Sequence, residues 1–273
     1  MSFDSIDGID VSLHDHLLRI RLNRPHAHNA MTPDQMNHVS KLCTQAEADD
    51  DVRVVLLTGT GESFCAGADL SGVDLSAGGG QIPPVSMSKN LFIALLDLSK
   101  PLVGAINGVA AGGGLGLALC CDIRLGSDAA RFATSFSRIG LTANDAVAWL
   151  LPRIVGIAKA IELIAVPTPI DAIEAERIGL ISYRYPVDEF EARVDQFVGT
   201  LLAAPPVGMR FSKRLVIDGL DRSYREHVLA QEYATLANRT IANHDIEEGV
   251  AAFKEKRKPD FQGNLMKPVW ENY

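Results

Sequence analysis

The stretch from Leu102 to Gly116 constrains this chain more than any other. An apolar run, Leu102 to Ile106, reaches Asn107-Gly108 and, after Val109-Ala110-Ala111, three consecutive glycines, Gly112 to Gly114. The pattern predicts a strand running into a helix over Leu115 to Cys121. Glycines lack a Cβ, so a ligand can approach their backbone closely, and the first N–H groups of a helix have no intrahelical partners. Such amides hold an anion or a developing oxyanion.

A second stretch upstream has the same character. Val52-Arg-Val-Val-Leu-Leu-Thr58 reads as a buried strand that empties into Gly59-Thr-Gly-Glu-Ser-Phe-Cys-Ala-Gly-Ala-Asp-Leu70. One glycine-rich loop alone reads as a tight turn, but two in this order present two N–H donors and point to a site. Through Phe64 to Leu70 and Asn107 to Gly114 the chain resembles the crotonase (enoyl-CoA hydratase/isomerase) superfamily. The resemblance extends from Leu22-Asn-Arg-Pro-His-Ala-His-Asn29 through Leu151-Pro-Arg-Ile-Val-Gly156 to Phe253-Lys-Glu-Lys-Arg-Lys-Pro259.

That resemblance implies an α/β fold, a crotonase-like spiral of repeated ββα units. It implies an acyl-CoA-binding core over residues 1–200 and a C-terminal helical region, 201–273, that builds homotrimers or dimers of trimers. The two loops would bind an acyl-CoA thioester, its carbonyl oxygen between the backbone amides of Ala68 and Gly113. Ala66, Asp69 and Leu70 of the first loop are implied with Ala68 in binding coenzyme A. Arg24 is the candidate phosphate contact, against a solvated surface arginine. Phe253 and Lys256 match positions that meet the adenine and phosphates, although Lys254 to Lys258 also reads as a solvated helix face. Coenzyme A enters as part of the substrate, and no permanently bound cofactor is implied.

Composition excludes other classes. At 273 residues the chain is long enough for one large domain or a core with an appendage. A formal net charge of −8 argues against a nucleic-acid partner. The acidic start, Met1-Ser-Phe-Asp-Ser-Ile-Asp-Gly, has no basic-then-apolar signal, and no apolar run is long enough to span a bilayer, so a cytoplasmic location is expected. Cys43, Cys65, Cys120 and Cys121 lack the paired spacing of a zinc site, so no metal is implied.

Along the chain, Val11 to His14 and Leu17 to Leu22 alternate around Asp15-His16 as a hairpin, with His14 and His16 as ordinary strand and turn residues. Thr32-Pro33-Asp34-Gln35 supplies an N-cap, a proline at the first helical position and a capping-box glutamine, predicting a helix over 33–49. Residues 71–84, rich in Gly and Ser, are expected to form a mobile lid. A helix follows over 87–98, where Met87 and Phe92 belong to the core or line an acyl pocket. Short strands are expected at 122–126 and 131–134, then helices over 157–164, 170–178, 189–203, 207–220, 224–242 and 245–256.

The chemistry has gaps. Hydration of an enoyl thioester requires activated water and a proton for the α-carbon, and hydratases of the family use two glutamates. By the resemblance these fall at Gly116 and Phe136, neither of which transfers protons. A different branch, containing double-bond isomerases and aryl-CoA dehalogenases, uses one aspartate in a motif ending Leu-Leu-Pro-Arg. Here Gly140-Leu-Thr-Ala-Asn-Asp-Ala-Val-Ala-Trp-Leu-Leu-Pro-Arg153 puts Asn144 at that position and Asp145 one residue later. On a helix start one residue turns a side chain by about 100 degrees, so Asp145 does not simply inherit the role. A macrodipole-stabilised helix start is its other reading. Asp69 also reads as a helix cap, and Glu62 as solvent-facing.

The leading expectation is an acyl-CoA enzyme of the enoyl-CoA hydratase/isomerase group, with Asp145 as acid/base. Isomerisation is the easier chemistry because one base suffices, whereas the family's usual assignment is a lyase of fatty acid metabolism. The alternatives are a non-catalytic acyl-CoA-binding protein and an aryl-CoA dehalogenase or hydrolase.

Overall fold

The computed structural model describes residues 2–71 and 85–263. The expected lid at 71–84 lies almost wholly outside the described residues, as does the side chain of Met87. The chain divides into two compact units, Met1–Leu98 with Leu102–Asp195, and Ser99–Pro101 with Gln196–Tyr273.

The first unit opens with β1 (Ile9–His14) and β2 (Leu17–Leu22), paired antiparallel. Asp15 and His16 both take positive φ, 47° and 66°, the left-handed pair that matches the twist of a two-residue hairpin. Helix α1 (Pro33–Ala48) carries the full capping box, with Thr32 and Gln35 each satisfying the other's backbone amide. Its apolar stripe, Val39, Leu42, Cys43 and Ala46, is buried in the core.

Each later turn of chain then repeats one unit. A first strand enters a six-stranded sheet, a short second strand enters a four-stranded sheet, and a helix follows. Thus β3 (Val54–Gly59) and β4 (Ser63–Cys65) precede α2 (Val85–Asp97). In the next turn β5 (Leu102–Ile106) and β6 (Val109–Ala111) precede α3 (Gly113–Cys120). In the third, β7 (Ile123–Ser127) and β8 (Arg131–Ala133) lead through a 3-10 turn at Phe136–Ile139 to α4 (Val147–Val155). The unit continues with α5 (Ile157–Ala165), β9 (Ile170–Asp171), α6 (Ala172–Arg177), β10 (Tyr183–Tyr185) and the start of α7 (Phe190–Leu202).

The larger sheet runs β1-β2-β3-β5-β7-β10, parallel from β2 onward, and the smaller runs β4-β6-β8-β9. Strand β3 is buried at every position, as a strand covered on both faces must be. Beneath β7 a guanidinium is buried too. Arg124 donates to the carbonyls of Leu180 and Cys121, each at 2.5 Å, which satisfies a charge that burial disfavours. Phe92, expected in the core or an acyl pocket, is packed in the core.

The second unit holds the rest of α7, then α8 (Pro206–Asp218), α9 (Tyr224–Ile241) and α10 (Asn243–Glu255). Ser223 and Glu226 form a second capping box at α9. The division falls inside α7, and the boundary read from the sequence at residue 200 lies in the same helix.

Candidate active site

The first loop follows β4. Met31 and Ala68 form an isolated parallel bridge, in which Met31 N–H donates to the Gly67 carbonyl at 2.8 Å and the Met31 carbonyl accepts from Asp69 N–H at 2.9 Å. Ala66 N–H donates to the His28 carbonyl, and Gly67 N–H to Cys65 Sγ. Three of the four amides from 66 to 69 are therefore engaged, and among the described residues that of Ala68 donates to none. Burial pushes the Cys65 thiol up to about 12, so it stays protonated beneath the loop.

The second loop opens α3. Gly112, at φ 53° and ψ −122°, turns the chain where a Cβ is not tolerated, and its N–H donates to the Ala133 carbonyl. Gly113 is the first residue of the helix, and its amide belongs to the unpartnered first turn. The loops touch. A Cβ built on Gly67 would stand 3.1 Å from Gly113 N, and one on Gly114 would run into the Cys65 carbonyl. The glycines are what let the two strand ends close on each other.

Asp145 completes the constellation. Its Oδ2 lies 2.8 Å from where a Gly113 Cβ would be, so the carboxylate stands against the backbone that carries the Gly113 amide. The helix-start expectation for Asp145 is wrong: α4 begins at Val147, and Asp145 and Ala146 precede it in left-handed conformation, at φ 50° and 65°. The 100-degree rotation therefore does not apply, because two left-handed residues redirect the chain before the helix starts. Asn144 is exposed, and its carbonyl accepts from Val147 N–H at 2.9 Å.

The two glutamate positions are closed in different ways. Phe136 is buried in the apolar core. Gly116 faces Asp145 so tightly that any Cβ there would collide with the Asp145 carbonyl.

The remaining expectations sort by contact. Arg24 Nη1 donates to Asp69 Oδ2 at 2.9 Å and to the Ala30 carbonyl at 2.8 Å, so this arginine ties the first loop to the segment after β2. Among the described residues Asp69 caps no helix. Its Oδ1 accepts from Ser71 N–H at 3.0 Å. Hydrogen bonds from Ser71 and then the Arg24 guanidinium hold its carboxyl down at about 2. Ala66, Leu70 and Glu62 are exposed. In the second unit Phe253 is 85% exposed, and Lys256 ends α10 in left-handed conformation. A cleft of about 380 Å³, lined by Arg19, Thr60, Asn107 and Glu191 among others, contains none of the candidate residues, whereas one of about 420 Å³ in the second unit is lined in part by Phe253.

Among the described residues no cluster of His, Cys, Asp and Glu suits a metal ion, and no helix is long and apolar enough to cross a membrane.

Comparison with known proteins identifies the family and agrees with the fold. The family model for enoyl-CoA hydratase/isomerase matches residues 13–264. The 1,2-epoxyphenylacetyl-CoA isomerase of Escherichia coli is 33% identical over 253 residues, 90% of this chain and 95% of its own. A crystal structure of an enoyl-CoA hydratase from Bacillus anthracis superposes with a TM-score of 0.87 at 29% identity, covering 94% of this chain and all of the other. An enoyl-CoA hydratase from Polaromonas superposes with a TM-score of 0.84 at 26% identity, covering 93% and 99%. With the ββα spiral, both glycine loops and a family match over most of its length, the chain belongs to the enoyl-CoA hydratase/isomerase family, the crotonase superfamily.

Proposed function

We propose that the protein is an acyl-CoA isomerase that moves a double bond through a thioester enolate, with Asp145 as its single acid/base. The observation that carries this reading is the Asp145 carboxylate standing against Gly113, beside the amide proposed to receive the thioester oxygen. Asp145 removes a proton from the α-carbon of a β,γ-enoyl thioester, and the electron pair delocalises onto the thioester oxygen and along the β,γ double bond. The Ala68 and Gly113 N–H groups stabilise that oxygen where charge develops. The same carboxyl group then returns the proton to the γ-carbon, leaving the double bond conjugated with the thioester. No water is consumed, which suits a site without the two hydratase carboxylates. A relative named as an isomerase of a CoA thioester supports the assignment.

Coenzyme A would be held by the first loop, Ala66 to Leu70, by Arg24 through N–H groups other than those given to Asp69, and by Phe253 and Lys256. Assembly into trimers or hexamers belongs to the same proposal. On α9, Leu229, Tyr233 and Leu236 recur at helical spacing and are 55%, 73% and 64% exposed in the single chain, an apolar stripe that a subunit interface would cover. A cytoplasmic location remains part of this reading.

The test is conversion of a 3-enoyl-CoA to the conjugated 2-enoyl-CoA, followed by absorbance, with acyl-CoA affinity measured by calorimetry on the same samples. Asp145→Asn is expected to lower kcat by ~10²–10⁴-fold with affinity unchanged. Tight binding without turnover in the wild-type protein would overturn the isomerase in favour of an acyl-CoA binder. Release of free coenzyme A would assign the carboxylate to a nucleophilic hydrolase instead.

A further inference from the structure

We propose that Gly116 is a positioning residue: its bare α-carbon is the seat on which Asp145 rests, and it fixes where the Asp145 carboxylate points. The inference rests on the isomerase reading and concerns the same site.

Gly113 and Gly116 are three apart on α3 and so share one face of the helix. Asp145 lies along that face. Its carboxylate is over Gly113, with Oδ2 2.8 Å from the missing Cβ. Its backbone is over Gly116, where a Cβ would collide with the carbonyl oxygen and stand 3.1 Å from the carbonyl carbon and 3.3 Å from the Asp145 Cβ. One residue is thus gripped at both ends by two glycines. On the far side the chain is held by the left-handed pair Asp145-Ala146, by the Val147 N–H donated to the Asn144 carbonyl, and by Val147 itself, wholly buried. Backbone pressed against backbone cannot yield as a side-chain tip can. A substituent at Gly116 must therefore lift the whole Asp145 segment and carry the carboxylate away from Gly113.

Specificity follows. In the two-glutamate pattern position 116 carries a carboxylate, and here the Asp145 backbone fills the space such a side chain would enter. A side chain at 116 and a carboxylate at Gly113 exclude each other sterically. Restoring a glutamate by Gly116→Glu is expected to abolish isomerisation without creating hydration.

The experiment is a double-mutant cycle of Gly116→Ala and Asp145→Asn, read as kcat, KM and the pH profile of kcat. Gly116→Ala alone should lower kcat at least tenfold, with KM within twofold and the pH profile displaced. In the Asp145→Asn background the same change should alter residual kcat less than twofold, because the group it positions is already disabled. Equal losses in both backgrounds would make Gly116 merely structural and overturn the proposal, as would full kcat in Gly116→Ala. Should Gly116→Ala fail to fold, Ala146→Val tests the seat from its other side, since a β-branched residue resists positive φ. Loss of kcat confined to the Asp145 background supports the seat, and retention of kcat sinks it. Full turnover in Asp145→Asn alone would instead remove the isomerase reading itself.

Discussion

Met31 and Ala68 meet in a single parallel bridge, and that bridge decides which way one amide faces. Because Met31 bonds to Gly67 and Asp69 on either side, the Ala68 N–H is turned away from the bridge and, among the described residues, donates to none. Gly113 presents its amide for another reason, its place in the first turn of α3. Two unrelated local rules thus leave two N–H groups on loops that touch each other. Polar groups left open in a folded chain cost stability.

Gly113→Ala isolates the contact between backbone and carboxylate. The new methyl would meet Asp145 Oδ2 at 2.8 Å, and that atom is a side-chain end able to swing away. The fold should survive with its melting temperature nearly unchanged, whereas kcat falls about tenfold, the cost of a misplaced base. Steady-state kinetics beside a thermal melt checks this, and an unchanged kcat would show that the carboxylate position is not needed.

Gly114→Ala should act on stability instead. Its Cβ would be forced into the Cys65 backbone carbonyl, with the Cys65 Cβ at 2.9 Å, and neither loop can retreat without breaking the sheet behind it. A loss of about 2–3 kcal/mol is expected, the upper range for overpacking, measured as a lower urea midpoint at constant m.

Asp69 sets part of the acid response. Its folded carboxyl titrates at about 2 against an ordinary 3.8, so the unfolded chain binds its proton first as pH falls. The stabilisation is fully present above 3.8 and disappears as pH drops toward 2. Asp69→Asn should melt below the wild type at pH 6, and the two curves should converge near pH 2. Parallel curves across that window would show that Asp69 contributes nothing to the acid limb.

Phe253→Ala tests the assignment of α10 to coenzyme A. At 85% exposure this ring buries little surface among the described residues, so its loss should leave the melting temperature within a degree or so. Affinity for acyl-CoA should fall several-fold while kcat at saturation holds. Lys256→Ala should weaken binding chiefly at low salt, as a phosphate contact does. Unchanged calorimetric affinity in both variants would remove these residues from the site.

The sequence by itself determined the parts whose rules are local. The Asp15-His16 turn, the Thr32–Gln35 capping box, the buried run of β3 and the succession of helices to α10 follow from periodicity, caps and left-handed turn residues a few positions apart. The two glycine loops were legible too, because their glycines answer to close approach. The smaller sheet was legible only in part: β4 and β6, three residues each, are too short to alternate, and β9 sits inside what reads as one helix over 170–178. Strand β10, equally short, gave no signal, and it exists through its pairing with β7. Asp145 is the sharpest case. Its neighbours in sequence suggest a helix start that turns the carboxylate away, yet the glycine face of α3, nearly thirty residues upstream, draws it in. Only the tertiary structure decided that, because a side chain's direction is set by the surface it packs on, and no local pattern encodes a surface built from a distant turn of chain.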